Sequence, residues 1–497
     1  MSGITGRTEA VEAFCRRTKR NLVGNEWLPA ASGRQAVVTD PSTGAPLMSV
    51  AESGSEDVDR AVWAARRAFE NGPWSKLLPY ERSRILLRLV DLLEANRDEL
   101  ARIEAIDSGK PLTQARYVDV PLAIQQFHSY AGLVTKLGGR TITPSCGYMA
   151  GTRFHAYTTK SPLGVAGLIT PFNFPLLLGA MKLAPALAAG CTVVLKPDER
   201  APASSVRLGE LCLEAGIPPG VVNVVLGGPE VGAALAAHQQ VDKLAFTGST
   251  EAGRTVLEAA AGNLKKVSLE LGGNSPNVIF ADANLPAAIA AAGAGAYTNA
   301  GECCVSGARV LVQDAVYDQV LDGLVAYARG LKLGPAGDEE TQLGPVITEE
   351  HLARVQNYLT GAEAAGARSL TGGKRVDSRG YFLEPTVVTE SKLDSPFMKD
   401  EVFGPVAKVV RFRDWNELVG IANDGVYGLA AGVWTENLGN AHRTAEALKA
   451  GTVWVNCYNV FDPDLPFGGY KQSGWSRESC PEALDLYCET KTVCMAI

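Results

Sequence analysis

From Gly164 onward the chain repeats one texture, a short β-branched run followed by a turn and a helical segment. The runs are VAGLIT (165–170), CTVVLKP (191–197), VVNVVLG (221–227) and KLAFTGS (243–249). Parallel strands need a crossover of a dozen or more residues between neighbours, and helices then cover both faces, so each strand reads as nearly continuous apolar sequence. The alternation therefore predicts a parallel sheet of βαβ units. A second alternating region begins at NVIF (277–280), continues through RVLVQ (309–313) and VAKVVRF (406–412), and ends with GTVWVN (451–456). Two α/β units in series follow. Upstream, residues 56–70 and 80–107 carry apolar residues at three- and four-residue intervals, the pattern of amphipathic helices.

The 497 residues fit this organisation, since roughly 150 residues per domain gives about three structural units. No repeat or Pro/Ser-rich linker separates them, so the units are expected to share a sizeable interface, the usual place for a ligand. The net charge of −7 is spread without a basic block, which argues against nucleic acid or an anionic membrane as partner. Small molecules are the expected ligands. The most apolar stretch, 176–195, is interrupted by Lys182 and Pro185 and reads as buried core, not a membrane span. Ten cysteines show no C-x-x-C spacing and five histidines stand singly as surface or packed residues, so no metal site is expected and a reducing, cytoplasmic setting fits best. The N-terminus has Arg16, Arg17, Lys19 and Arg20 but lacks an apolar signal core, leaving a transit peptide as the lesser reading.

Three segments carry chemistry. Phe246 to Gly253 follows a strand-like run and opens a helical one, as a backbone approaching a pyrophosphate would, or as an ordinary strand-to-helix turn would. Lys196 and Glu199 lie just past another strand, either as a ribose-binding pair or as a solvated one. Cys304, in 299-NAGECCVSG-307, is a candidate nucleophile, and Glu270, in 269-LELGG-273, a candidate general base. A buried structural cysteine is the competing reading. Asn173 lies between Pro171 and Pro175, where a rigid amide can serve an oxyanion or simply complete a turn.

Taken jointly, PFNFP (171–175), KPDE (196–199), FTGST (246–250), LELGG (269–273), GECC (301–304), EVFGP (401–405) and PFGGYKQSG (466–474) occur in the order of the aldehyde dehydrogenase superfamily, which the chain resembles from about Val23 to Val493. The resemblance implies an α/β fold with a Rossmann-type cofactor domain (1–144 and 165–271), a catalytic domain (272–477) and a small β oligomerisation arm (145–164 and 478–497). It implies catalytic Cys304, Glu270 and Asn173, with Lys182 and Glu478 at positions sometimes assigned to proton relay. Phe172, Lys196, Glu199, Gly248, Ser249, Glu401 and Phe403 resemble cofactor contacts. NAD is favoured because Glu199 would repel the 2′-phosphate of NADP, whose use is weaker. The implied reaction is oxidation of an aldehyde to the acid through a cysteine thiohemiacetal and thioester, in a homodimer or homotetramer.

Phe172, Glu302 and Ser476 depart from the family's usual Trp, Gln and Gly. None removes a reacting group. Met181 and Thr298 stand where tunnel residues are often aromatic, while Phe174, Leu178, Phe461 and Phe467 keep the tunnel apolar, so a medium-sized or aromatic aldehyde is expected. Asp462 and Asp464 leave a cationic aminoaldehyde as the other reading. Two rivals keep the fold but change the outcome: acyl transfer to coenzyme A, whose enzymes usually lack the base at Glu270, and a non-catalytic NAD-binding protein, disfavoured by the intact Cys304, Glu270 and Asn173.

Overall fold

The computed structural model describes residues 8–376 and 379–497. Its larger sheet has eight strands in the order Gly474–Trp475, Lys266–Glu270, Lys243–Thr247, Val165–Ile169, Thr192–Lys196, Val222–Val224, Asn21–Val23 and Glu26–Leu28. The five from Lys266–Glu270 to Val222–Val224 pair in parallel. Every residue of Val165–Ile169, Thr192–Lys196 and Lys243–Thr247 is buried, which is why these runs lack polar alternation.

The second sheet orders Arg368–Thr371, Thr386–Thr389, Val406–Phe412, Arg309–Gln313, Pro276–Ile279, Ala430–Trp434 and Thr452–Val455. Its first strand alone pairs antiparallel. A third sheet joins Thr141–Ile142, Phe154–Pro162 and Cys488–Ala496, the last two in unbroken register from Cys488 opposite Pro162 to Ala496 opposite Phe154. The expected α/β class therefore holds. Gly474–Trp475 returns from the second unit to pair with Leu269 and Glu270 at the edge of the first sheet, stitching the two together beside a candidate site residue.

The apolar stretch 176–195 is helix Pro175–Ala189 followed by strand Thr192–Lys196. The helix is buried along nearly its whole length, and Lys182 within it is fully buried. Among the described residues no helix is long and apolar enough to cross a membrane. The segment 80–107 forms two helices, Pro79–Ala95 and Arg97–Ser108, instead of one continuous helix. The break falls at Asn96, whose side-chain Nδ2 donates to Leu92 O at 2.7 Å, the local competition that makes asparagine a poor residue for helix interiors.

Candidate active site

Cys304 follows helix Leu285–Tyr297 and the tight turn Thr298–Gly301. Asn299, Ala300 and Gly301 have φ of 53°, 54° and 72°, three successive left-handed residues that a free loop would not hold. Side-chain bonds fix them. Asn299 Nδ2 donates to Asn173 O at 3.0 Å and Glu302 O at 3.1 Å, and Asn299 N donates to Gln114 Oε1 at 3.1 Å. A Cβ on Gly301 would lie 2.0 Å from Gly404 O, so glycine is needed for space as well as conformation.

Asn173 is 4% exposed, and its Nδ2 donates to Glu302 O at 3.0 Å. A primary amide has a second N–H, so one donor remains. Glu270 ends strand Lys266–Glu270 and is 3% exposed, with neither carboxylate oxygen hydrogen-bonded. Burial and the nearby Glu478 push its pKa well above the usual carboxylate range, against the pull of Lys182 and Arg477. Gly468 packs on it, since a Cβ there would sit 2.8 Å from Glu270 Oε1. The loop after Glu270 presses on the nucleophile's backbone. A Cβ on Gly273 would lie 2.1 Å from Cys304 O.

A hydrogen bond with the Cys303 sulfur, burial, and the carboxyl groups of Glu401 and Glu270 hold the Cys304 thiol above its ordinary range. Both groups are thus pushed toward their neutral forms, the thiol by Cys303 and burial and Glu270 by burial and Glu478. It lines a cavity of about 610 Å³ together with Phe174, Leu178, Met181, Trp454, Phe461 and Phe467. Thr298 and Asp462 also line it. Lys182 and Glu478, far apart in sequence, form a buried ion pair at 2.6 Å.

At the carboxyl edge of the larger sheet the strand order reverses about Val165–Ile169, which has Thr192–Lys196 on one side and Lys243–Thr247 on the other. Nucleotides bind outside strand ends at such a reversal. Thr170 Oγ1 and Thr247 Oγ1, at the ends of two neighbouring strands there, are buried without a hydrogen-bond partner, so the crevice presents polar groups suited to a polar ligand. Lys196 Nζ donates to Glu199 Oε2 at 3.2 Å, with 37% of the Glu199 side chain exposed. Ser249 caps helix Thr250–Ala260 by accepting from Ala252 N, and a Cβ on Gly248 would meet the Phe246 ring at 2.5 Å. These residues fit a dinucleotide whose phosphates approach a helix N-terminus.

Phe172 packs edge-on against Phe403 at 6.0 Å, with the Arg200 guanidinium 4.2 Å from its ring. Glu401 accepts from Gly273 N at 2.9 Å, and burial, partly offset by this bond, raises its carboxyl to about 7. Phe403 has φ of 58° and Ser476 83°, so Ser476 adopts a backbone form that glycine takes more easily. Glu302 and His351 carry more contacts than their sequence context suggested. The sequence offered only a departure from Gln for the one and isolation for the other.

The fold and the crevice at its strand-order reversal define a nucleotide-dependent oxidoreductase. The family model described as the aldehyde dehydrogenase family matches residues 27–493. The chain belongs to the aldehyde dehydrogenase family, oxidoreductases that convert aldehydes to carboxylic acids. Among its relatives, DhaS of Bacillus subtilis (strain 168), itself named for aldehyde dehydrogenase activity, is 45% identical over 99% of each chain. The mitochondrial benzaldehyde dehydrogenase of Antirrhinum majus is 44% identical over 96% of this chain and 88% of that one. The NAD⁺ complex of the Bacillus cereus aldehyde dehydrogenase superposes with a TM-score of 0.96 at 43% identity, over 99% of this chain and all of the other.

Proposed function

We propose that the chain oxidises a medium-sized, apolar aldehyde to its acid with NAD, Cys304 acting as nucleophile. The observation that carries this is the cavity that opens on Cys304, with Asn173 and Glu270 tied to the same loop. Glu270 takes the Cys304 proton, and the thiolate adds to the aldehyde carbon. The free N–H of Asn173 and the Cys304 backbone N–H stabilise the resulting alkoxide. When bound, NAD supplies a hydride acceptor, and loss of hydride from the thiohemiacetal leaves a thioester on Cys304. Glu270 then deprotonates the water that releases the acid. Glu270 passes on the thiol proton before it accepts one from water, and Lys182 and Glu478 relay both onward, a role their contact supports.

Lys196 and Glu199 hold the adenosine ribose, Gly248 and Ser249 the pyrophosphate, and Phe172, Glu401 and Phe403 the nicotinamide side. NAD is preferred over NADP because Glu199 is an exposed carboxylate. The cofactor domain comprises 1–144 and 165–271, the catalytic domain 272–477, and the arm 145–164 with 478–497; the three larger sheets follow these bounds except that Thr141–Ile142 joins the arm sheet and Gly474–Trp475 the first. Exposed edges in the arm suit a homodimer or homotetramer. Among the described residues nine cysteines, Cys15 aside, are free thiols, which suits a reducing compartment such as the cytoplasm.

The apolar cavity wall favours aromatic or branched aldehydes over a cationic aminoaldehyde. A panel of aliphatic, aromatic and amino-aldehydes with NAD, followed by NADH formation, tests both parts. The highest kcat/KM is expected for aromatic or branched substrates. Absence of NADH with every aldehyde would sink the assignment, and preference for the aminoaldehydes would sink the substrate class.

A further inference from the structure

Glu302 and His351 are buried titratable groups that the proposed mechanism does not use, their side chains 1% and 11% exposed. Glu302 stands two residues before Cys304. Its backbone oxygen accepts from both Asn173 and Asn299, and its Oε1 accepts from Ile347 N at 3.0 Å. The same Oε1 lies 3.5 Å from His351 Nε2, which in turn is 2.6 Å from Phe403 O. A carbonyl only accepts, so Nε2 carries the ring proton. Burial lowers the His351 pKa to about 4 and raises that of Glu302 to about 8, so near neutral pH the pair is an uncharged imidazole beside a carboxylic acid.

Phe403 needs such a hold. Its φ of 58° is unusual for a bulky side chain, and a residue in that region persists only where its surroundings over-determine it. Its ring meets the rings of Phe172 and His351 edge-on, at 6.0 and 5.9 Å. Two residues earlier, Glu401 is bonded to Gly273 N, in the loop that presses on Cys304 O. One continuous set of contacts thus runs from the nucleophile loop through Glu302, His351 and Phe403 to Glu401.

We propose, resting on the reading of Cys304 as nucleophile and of 401–403 as cofactor-facing, that Glu302 and His351 are positioning residues which clamp the strained backbone of Phe403 to the Cys304 loop. The clamp fixes the cofactor-facing loop relative to the sulfur before any ligand arrives. His351→Leu removes the bond to Phe403 while leaving Ile347 N paired with Glu302. Glu302→Leu removes the seat under the imidazole, whereas Glu302→Gln keeps an acceptor for Ile347 N in a side chain as neutral as the protonated acid.

The test measures NAD dissociation by protein fluorescence without aldehyde, together with the KM for NAD, kcat, the alkylation rate of Cys304 by iodoacetamide, and the melting midpoint. In His351→Leu the NAD dissociation constant and KM should rise about tenfold, with kcat less affected and alkylation of the NAD-free enzyme within twofold of wild type. Glu302→Leu should move the same way, Glu302→Gln should restore wild-type binding, and the double leucine variant should bind no more weakly than the weaker single one. His351→Ala serves where leucine prevents folding. Wild-type NAD affinity in the histidine variants would overturn the clamp. Equal losses in Glu302→Gln and Glu302→Leu would also overturn it, because charge rather than placement would then be at work. A wild-type enzyme that fails to bind NAD would overturn the cofactor reading beneath it instead.

Discussion

Cys303 and Cys304 are neighbours with different surroundings. Both line the cavity, but Cys303 is 6% exposed and packs within the cluster of Leu178, Met181 and Val305, while Cys304 is only partly buried. Cys304→Ala should therefore abolish NADH formation while leaving NAD affinity nearly intact, and Cys303→Ala should retain activity. Steady-state kinetics with NAD titration of both variants checks the pair, and equal losses would reject the assignment. On the proposed mechanism Glu270 separates the two half-reactions. A positioned base contributes about 10²–10⁴-fold, so Glu270→Gln should release up to about one NADH per site and then turn over slowly, with acyl mass trapped on Cys304. Because the base acts when ionised and its pKa is raised, wild-type kcat should fall as pH drops through that raised value, a limb absent from the residual rate of the variant. Stopped-flow measurement followed by quench and mass spectrometry reads the burst and the trapped species. At the ribose end, Glu199→Gln removes the charge opposing a 2′-phosphate. The ratio of kcat/KM for NADP to that for NAD should rise about tenfold, equivalent to roughly 1.4 kcal/mol; an unchanged ratio would remove Glu199 from that site. The proposed reacting groups were legible as candidates because each sits in a local motif. The Glu302 and His351 contacts were not, since beyond Asn299 the hydrogen-bond partners of Glu302 lie 45 and 129 residues away and no local pattern encodes such meetings.

Strands and loops, more than side chains, set the distances within the site. The parallel sheet was readable from its apolar runs because burial on both faces leaves no polar alternation, and the strand ends then put Thr170, Lys196 and Thr247 along one edge. The helix break at Asn96 was less readable, because the apolar spacing continues across it and only one side-chain bond interrupts the backbone. The loops were readable as glycine motifs, but their reason appears only in the contacts. Gly273 brings the loop after Glu270 against the carbonyl of Cys304, where a methyl group would sit 2.1 Å from oxygen, far inside contact distance. Gly273→Ala should therefore displace the sulfur relative to Glu270 and Asn173. A misplacement of about 1 Å can cost 10²-fold in rate, so kcat should fall by about that factor while the melting midpoint shifts by only a few degrees. Kinetics paired with a thermal scan distinguishes this from general unfolding, and a near wild-type kcat would show that the loop accommodates the extra atom.

For the whole molecule, the third sheet raises a question that one chain does not answer. In the order Cys488–Ala496, Phe154–Pro162, Thr141–Ile142, both outer strands are edges. Exposed edges with unpaired backbone groups invite pairing with another chain, and native proteins cover or charge them. Here Ile142, Met495 and Ile497 are exposed at 38%, 43% and 72%, and Tyr148, in the loop between strands Thr141–Ile142 and Phe154–Pro162, at 87%. Ile142, opposite Ala156, and Met495, opposite His155, point to opposite faces from the sheet's two outer strands, so each lies beside an edge that a second copy would cover by pairing. The mild net charge of −7 does not prevent like chains from meeting. If the arm stayed in water, Ile142→Lys with Met495→Lys would be two surface changes, each worth at most about 0.5 kcal/mol. If it is covered by a partner, the two ammonium groups must be desolvated opposite apolar surface, and the assembly should weaken severely. Sedimentation velocity of wild type and double variant at equal concentration decides between these. The wild type is expected at the mass of a dimer or tetramer, and the variant shifted toward the 52.5 kDa monomer with its α/β core still folded. A wild type already at monomer mass, or a variant that assembles as before, would place the contact elsewhere than on this sheet.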